Sequence, residues 1–232
     1  MTDKKFLKNL KLNDSDFETI KQAVAAAESK TTGEIALAVT AESGKYSFWE
    51  LLWANGLAVI LLAIMIPFSA SITSLFQNFY WDLVPAWIVP CVFVAAAFLI
   101  VVLGFYLCNI PAIDRKIIPE SEKAKTVTAR AMQYFAESGI YETAEHSGIL
   151  VFVSFMEREV RIIADSGISE KISQDLWNLI ADEICENLKK GENLKAFTGA
   201  VEKCGALLAE NFPNHEENPN ELPDGLVIIR NS

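Results

Sequence analysis

The sequence predicts an α/β domain that is interrupted by two membrane-spanning helices. The first observation is the distribution of charge: the chain has 232 residues with 30 acids and 20 bases, yet Tyr46 to Cys108 contains no Lys or Arg and only two acids, Glu50 and Asp82. The second is the set of short apolar runs, typical of strands, that alternate with amphipathic segments in the rest of the chain. Together they exclude a nucleic-acid binder with a basic surface, a disordered acidic protein and a disulfide-rich secreted module.

The uncharged runs on either side of Asp82 are each longer than the roughly 20 residues that a helix needs to cross ~30 Å of hydrocarbon. We therefore expect a transmembrane hairpin over residues 47–108, with spans at about 48–67 and 85–107. Aromatic residues lie where the spans would meet lipid headgroups, among them Trp49, Trp53, Trp81 and Trp87. The alternative is a pair of core helices in a soluble protein, which is disfavoured because such helices seldom run this long without a charge.

The bases near the spans set the predicted orientation. Lys45 precedes the first span, and the connecting segment Ser69–Val84 contains no base. The bases that follow the second span are Arg115, Lys116, Lys123 and Lys125. By the positive-inside rule, both termini are predicted to be cytoplasmic, in a multi-pass protein of the cell (inner) membrane. No ionisable residue lies deep within either span, so the hairpin is interpreted as an anchor.

Residues 1–46 are predicted to supply a helix and the first strand of the domain. Ser15 and Glu18 have the spacing of a capping box, and apolar residues then recur on one helix face as far as Thr32-Gly33. Glu34–Thr40 is a short apolar run suited to a strand that is buried on both faces. One helix and one strand cannot form a core, so we expect them to pack with the polar segment that follows the hairpin.

Residues 109–232 are predicted to complete the same domain and to include a polar C-terminal tail. The expected elements are a helix over Ser121–Gly139, two antiparallel strands at Gly148–Phe155 and Val160–Ala164, helices over Ser169–Lys190 and Leu194–Phe212, and an added edge strand at Leu226–Ile229. The order is α-β-[two transmembrane helices]-α-β-β-α-α. The first two strands and the helix between them form a parallel β-α-β unit in a compact α/β sandwich.

Several segments of this domain resemble the TPM domain family. The matching residues are Thr32-Gly33-Glu34-Ile35, the strand that begins at Gly148, the stretch Arg158–Ile168, Trp177, and the closing Leu207 to Pro213. The resemblance implies a small Rossmann-like sandwich. Asn220-Glu221-Leu222-Pro223 is similar to a subgroup of bacterial membrane proteins in which a membrane segment splits the domain. The roles that the resemblance implies are calcium binding, acid-phosphatase activity, or an accessory function beside membrane protein complexes.

Asp165 is the leading candidate for a site residue because it ends a strand beside Gly167, where a backbone can approach a ligand closely. If the strands at Gly148–Phe155 and Val160–Ala164 are antiparallel, Asp165 lies at the sheet edge where the other strands start, near Glu34 and Glu145. Two or three carboxylates there would offer oxygen ligands to calcium or magnesium. The alternative is a turn-forming Asp that caps the loop before the next helix.

Arg161 and Arg130 are weaker candidates for contacts with phosphate or another ligand, since a guanidinium offers a planar fork of donors. The alternative for both is a solvated strand or helix face. His146 and His215 lack the spacing of metal ligands and are interpreted as surface residues. The four cysteines form no C-x-x-C motif, so we expect free thiols in a reducing compartment.

We therefore expect a membrane-anchored, non-enzymatic interaction or accessory module of a membrane complex. The basis is a complete fold without a recognised nucleophile motif, phosphate loop or zinc motif in the sequence. The expected partners are the lipid bilayer and either a membrane protein complex or a second copy bound through the hairpin, with no nucleic acid. The alternative is a divalent-metal-dependent, acid-phosphatase-like phosphomonoester hydrolase that uses Asp165 and neighbouring acids.

Overall fold

The structure is a computed structural model that describes residue 6 and residues 10–79, 83–108, 110–143, 146–214 and 222–229. It contains two units, one made of Met1–Gly44 and Glu120–Ser232, the other of Lys45–Pro119. The helices, numbered along the chain, are α1 Asp14–Glu28, α2 Ser47–Met65, α3 Ser69–Gln77, α4 Ile88–Cys108, α5 Pro111–Ile117, α6 Glu120–Glu137, α7 Ser166–Ser169, α8 Gln174–Lys190 and α9 Asn193–Asn211. The strands are β1 Glu34–Thr40, β2 Gly148–Ser154, β3 Glu159–Ala164 and β4 Leu226–Ile229.

The first unit is built on a four-stranded sheet with the spatial order β3-β2-β1-β4. β1 is parallel to both β2 and β4, whereas β2 and β3 are antiparallel. The mixed α/β class, the parallel pairing of the first two strands and the antiparallel pairing of the next two are therefore confirmed. Leu226–Ile229 is the added strand at the edge, as its apolar pattern indicated.

Helices cover both faces of this sheet, because alternate residues of its central strands point to opposite sides. In β2, Ile149, Val151 and Val153 share a buried cluster with residues of α1, α8 and α9. Leu150 and Phe152 instead share a smaller buried cluster with residues of α6. The near-continuous apolar sequence of β1 and β2 is explained by this burial on two sides.

The predicted capping box of α1 is wrong by two residues. Asn13 is the N-cap: its side-chain oxygen accepts a hydrogen bond from the Asp16 backbone N–H, and the Asp16 carboxylate accepts one from the Asn13 backbone N–H. Ser15 donates its hydroxyl to the Asn13 side chain at 2.5 Å. Asn is as good an N-cap residue as Ser, and the capping box forms between Asn13 and Asp16, two positions earlier than predicted.

The predicted helix over Ser169–Lys190 is α8 in the structure, and it begins five residues later than predicted. The short α7 ends at Ser169, and α8 begins at Gln174 after Ser173, an N-cap residue with extended backbone angles. Between them the chain turns so that Ile168 and Ile172 both enter the core. Residues four positions apart would also share one face of a continuous helix, so the break follows from the extended backbone of Ser173 and not from this burial.

The second unit contains the apolar helices of the predicted hairpin. α2, a 3₁₀ turn at Ile66–Phe68 and α3 follow one another without a break, so the segment expected to be a loop from Ser69 is helical as far as Gln77. α4 begins at Ile88, after Pro85. Pro90 lies in its first turn, where the N–H that proline lacks would have no partner within the helix.

Small residues form the contact between α2 and α4. Ala54 and Ala58 of α2 and Gly104 of α4 are buried. A Cβ atom on Gly104 would lie 3.2 Å from the Cβ of Ala54, so the two backbones approach each other closely. Gly56, in contrast, has no atom within 4 Å of where its Cβ would be. One face of α2 therefore supplies the contact within the hairpin.

The two glycines within α9 provide a test of how tightly this helix packs on α1. A Cβ at position 205 would lie 2.7 Å from the Cβ of Ala27, whereas a Cβ at position 199 would meet nothing within 4 Å. Gly205→Ala should lower the free energy of unfolding by about 1–3 kcal/mol, because α1 and α9 must move apart. Gly199→Ala, the matched control, should raise it by about 0.5–1 kcal/mol, because it lowers the entropy of the unfolded chain. Denaturant titration of both variants measures the difference, and equal stabilities would contradict the close packing.

Candidate functional site

The candidate site is the sheet edge where β1 and β2 begin and β3 ends. Glu34 of β1 pairs with Gly148 of β2. The backbone N–H of Asp165, directly after β3, donates to the Gly148 carbonyl at 3.0 Å. Glu34 and Asp165 thus flank the same glycine on neighbouring strands. The sequence separates them by the whole hairpin, and strand pairing brings them to one edge.

The Asp165 side chain has two partners of its own. One carboxylate oxygen accepts the Ser166 backbone N–H at 2.6 Å, which makes Asp165 the N-cap of α7. The other lies 3.2 Å from Nδ1 of His146. The Asp165 side chain is 11% exposed and the His146 ring is 62% exposed. Asp165 therefore has the capping role that was the alternative to metal binding.

His146 was interpreted as a surface residue, and its ring is indeed largely exposed, but its contact with Asp165 was not foreseen. The two residues are 19 positions apart, so no local motif links them. The backbone of His146 has a positive φ of 50°, in the left-handed region. The resulting pair joins the loop before β2 to the corner after β3, and the second ring nitrogen is the one that remains for other contacts.

The metal site stays a prediction. Glu145, the third predicted ligand, lies outside the described residues. Within the parts of the chain that the structure describes, no group of three or more His, Cys, Asp or Glu side chains has an arrangement suited to a metal ion. The pair of Glu34 and Asp165 therefore carries the calcium or magnesium hypothesis, with no third ligand among the described residues.

Each of the two predicted phosphate-contact arginines has an acidic partner on its own strand or helix. Arg161 pairs with Phe152 in the sheet, four residues along β3 from Asp165, which is about 13 Å in an extended strand. Its guanidinium donates to the Glu159 carboxylate at 2.7 Å and to the Thr128 hydroxyl at 3.1 Å. Arg130 lies 3.6 Å from the Glu137 carboxylate. Among the described residues neither arginine contacts Asp165, and their role in ligand contact stays a prediction.

A buried carboxyl group that the sequence analysis missed lies at the same end of β1. Glu28, the last residue of α1, accepts the backbone N–H of Ile35 at 2.8 Å. It also shares a side-chain hydrogen bond with Asp224, which precedes β4. Glu34 is the neighbour of Ile35, and it is only 2% exposed. Three carboxyl groups therefore gather here from α1, β1 and the approach to β4.

This crowding changes the proton affinity of Glu28. Burial raises its pKa from 4.5 to about 8; the Ile35 N–H opposes the shift, while the negative charges of Glu34 and Asp224 add to it. At neutral pH the protonated Glu28 donates to Asp224, which removes the repulsion between two adjacent carboxylates. No spacing rule in the sequence indicates this pair, because β4 reaches β1 from the far end of the chain.

A second polar cluster, also missed, lies at the opposite edge of the sheet, where β1 and β2 end. Glu157 is 3% exposed. Its carboxylate accepts the Ser43 backbone N–H at 2.9 Å and the Ser154 hydroxyl at 2.5 Å. The Ser43 hydroxyl in turn donates to the Ser154 hydroxyl at 2.7 Å. These bonds fasten the loop after β1 to the turn between β2 and β3.

The raised pKa of Glu28 predicts a specific pH dependence of stability. Because the unfolded chain has the ordinary value of 4.5 and the fold has about 8, the folded state binds more protons, so stability falls as the pH rises through this interval. Glu28→Gln keeps an acceptor for Ile35 and a donor for Asp224 without the titration. In scanning fluorimetry, the melting temperature of the variant should therefore exceed that of wild type by an amount that grows between pH 5 and pH 8.

Glu18→Gln, on the exposed side of the same helix, is the control and should show no such widening. A Glu28→Gln variant whose melting temperature follows the wild-type pH profile in parallel would show that this carboxyl group does not bind the extra proton.

Part of the chain matches the model of a known protein family, and the fold is similar to that of a solved structure. A family model described as TPM domain matches residues 116–207, a range that contains α6, β2, β3, α7 and α8. No curated protein matches the sequence. The fold is similar to the NMR structure of BA42 protein from the psychrophilic bacterium Bizionia argentinensis, with a TM-score of 0.55, 18% identity, and coverage of 94% of this chain and 95% of that one. At that identity the likeness shows the fold alone, and the family match shows that residues 116–207 are similar to the TPM domain.

Proposed function

We propose that this chain is a membrane-anchored TPM domain that serves as a non-enzymatic accessory module of a membrane protein complex. The observation that carries the proposal is the apolar surface of the second unit. Ser47–Gln77 and Ile88–Cys108 are long and apolar enough to cross a membrane, and only 11% of the most apolar window of each is buried. The 21 residues of α4 have a length of about 32 Å, which fits a hydrocarbon core of ~30 Å.

The exposed side chains of these helices support a lipid environment. Val59 is 66% exposed, Val94 71% and Phe98 73%. Soluble monomers rarely expose contiguous apolar patches larger than a few hundred Å². The contact between α2 and α4 uses small residues, the packing that brings membrane helices close together. Lipid would cover the apolar side chains that the contact between α2 and α4 leaves exposed.

The accessory role is assigned to the first unit. Leu176 and Leu179 of α8 are 43% and 65% exposed, and they lie on one face of that helix, three positions apart. The neighbouring Trp177 is 1% exposed, so the two leucines are presented by a well-packed helix. We assign this face to the contact with a membrane protein partner. The proposed orientation, with both termini cytoplasmic, is supported by Lys45, Arg115 and Lys116 at one end of the hairpin.

The anchor is tested by membrane extraction. The wild-type protein should remain in the membrane pellet after an alkaline carbonate wash. Val94→Lys combined with Phe98→Lys should shift it to the soluble or degraded fraction, because each central lysine costs about 3 kcal/mol of insertion free energy. Met132→Lys, an exposed apolar position in the first unit, is the matched control and should leave the protein in the pellet. Release of the wild type by carbonate would contradict the anchor, and reporter fusions at Ser74 and the C-terminus would fix its orientation.

The accessory role is tested by co-purification in mild detergent at native expression level. A membrane protein should co-purify with the full-length chain. Leu176→Glu combined with Leu179→Glu should reduce its yield at least tenfold, because two carboxylates would be desolvated in the contact. Met132→Glu, at a comparably exposed apolar position on α6, should leave the yield unchanged. A homogeneous chain without a stoichiometric membrane partner would overturn this part of the proposal.

A further inference from the structure

We infer that one end of the hairpin binds the headgroups of anionic phospholipids. This end, called here the basic end, is defined by Lys45, Arg115 and Lys116. The inference rests on the proposed anchor and goes beyond it, because it names the class of lipid that the anchor prefers.

The geometry of the second unit places these three bases at the same end. α2 and α4 are in contact where Ala54 meets Gly104, near the start of one helix and the end of the other. The indole N–H of Trp53 donates to the carbonyl of Ile117 at 3.2 Å, which holds the chain after α4 against the first turns of α2. Lys45, two residues before α2, and the last turn of α5 therefore lie at the same end of the hairpin.

Burial separates the two signs of charge at this end. Within the described residues of the second unit the acids are Glu50 and Asp114, and they are only 4% and 8% exposed. Lys45 and Lys116 are both exposed. Three bases and two acids give almost no net charge in the sequence, yet the two lysines are exposed whereas both acids are buried. An exposed positive set of this kind attracts the phosphates of anionic lipids.

The apolar side chains of the same end favour a position at the membrane interface. Ile110 and Ile113, at the start of α5, are 45% and 38% exposed. Trp53 and Tyr106 are 54% and 71% exposed. Aromatic rings and the stems of lysine side chains typically lie at the headgroup level, with the charged atoms towards water. The bases would thus reach lipid phosphates while the neighbouring apolar groups contact acyl chains.

The opposite end supplies an internal comparison. The sequence between the spans contains no Lys or Arg, although it contains Trp81 and Trp87. Each base near the membrane surface is expected to raise the local concentration of anionic lipid about fivefold. The preference for anionic lipid should therefore be confined to the basic end, which carries Trp49 and Trp53.

Tryptophan quenching by brominated lipids tests this inference on the full-length protein in vesicles. The variant with Trp81→Phe and Trp87→Phe reports on the basic end, and the variant with Trp49→Phe and Trp53→Phe reports on the other. Trp177 is 1% exposed within the first unit and adds a constant background to both. At the basic end, brominated phosphatidylglycerol should associate at least fivefold more strongly than brominated phosphatidylcholine. At the other end the two lipids should quench equally.

Lys45→Gln and Lys116→Gln are combined in the variant that reports on the basic end. They should bring the ratio of phosphatidylglycerol to phosphatidylcholine association close to one. Lys189→Gln combined with Lys190→Gln, an equal change of charge at exposed positions of α8, should leave it intact. Equal quenching by both lipids at the basic end, an equal preference at both ends, or a preference that survives the loss of Lys45 and Lys116 would each overturn the inference while the anchor stands. Absence of quenching by either lipid at both ends would overturn the anchor itself.

Discussion

The parallel pairing of β1 with β2 is the interaction on which the rest of this fold depends. Its seven residue pairs run from Glu34 with Gly148 to Thr40 with Ser154, and they join two parts of the chain that are separated by both apolar helices. Without this pairing, α1 and β1 have no sheet to join. With it, β1 becomes a central strand that is covered on both faces and can accept β4 on its other side.

The pairing also determines which polar groups meet. At the start of the two strands it brings Glu34 beside Gly148, and hence near Asp165. At their end it brings the loop after β1 within reach of Glu157, whose carboxylate accepts bonds from Ser43 and Ser154. Such charge-assisted bonds are worth about 1.5–3 kcal/mol each when buried. They stabilise the exit of β1 at the point where the chain leaves the sheet for the apolar helices.

Local sequence pattern predicted most elements of the fold but few contacts of the site. Strands such as Gly148–Ser154 are recognisable because burial on both faces demands a continuous apolar run. The break between α7 and α8 is not recognisable, because Ile172 continues the helical period even though the chain turns at Ser173. The contacts of His146 with Asp165 and of Glu28 with Asp224 depend on strand pairing, which no local spacing encodes. Asp165 could be identified as a strand-end residue, whereas its partners could not.

Net charge is a poor guide to the local charge of this chain's surface. The formal charge of −10 suggests repulsion from anionic lipid. At physiological ionic strength, however, the interaction between exposed charges is screened beyond about 8 Å, so the local set of exposed groups decides the field. In the second unit, Glu50 and Asp114 are buried while Lys45 and Lys116 are exposed. A chain that is acidic overall can thus present a basic surface, because folding selects which charges remain in contact with solvent.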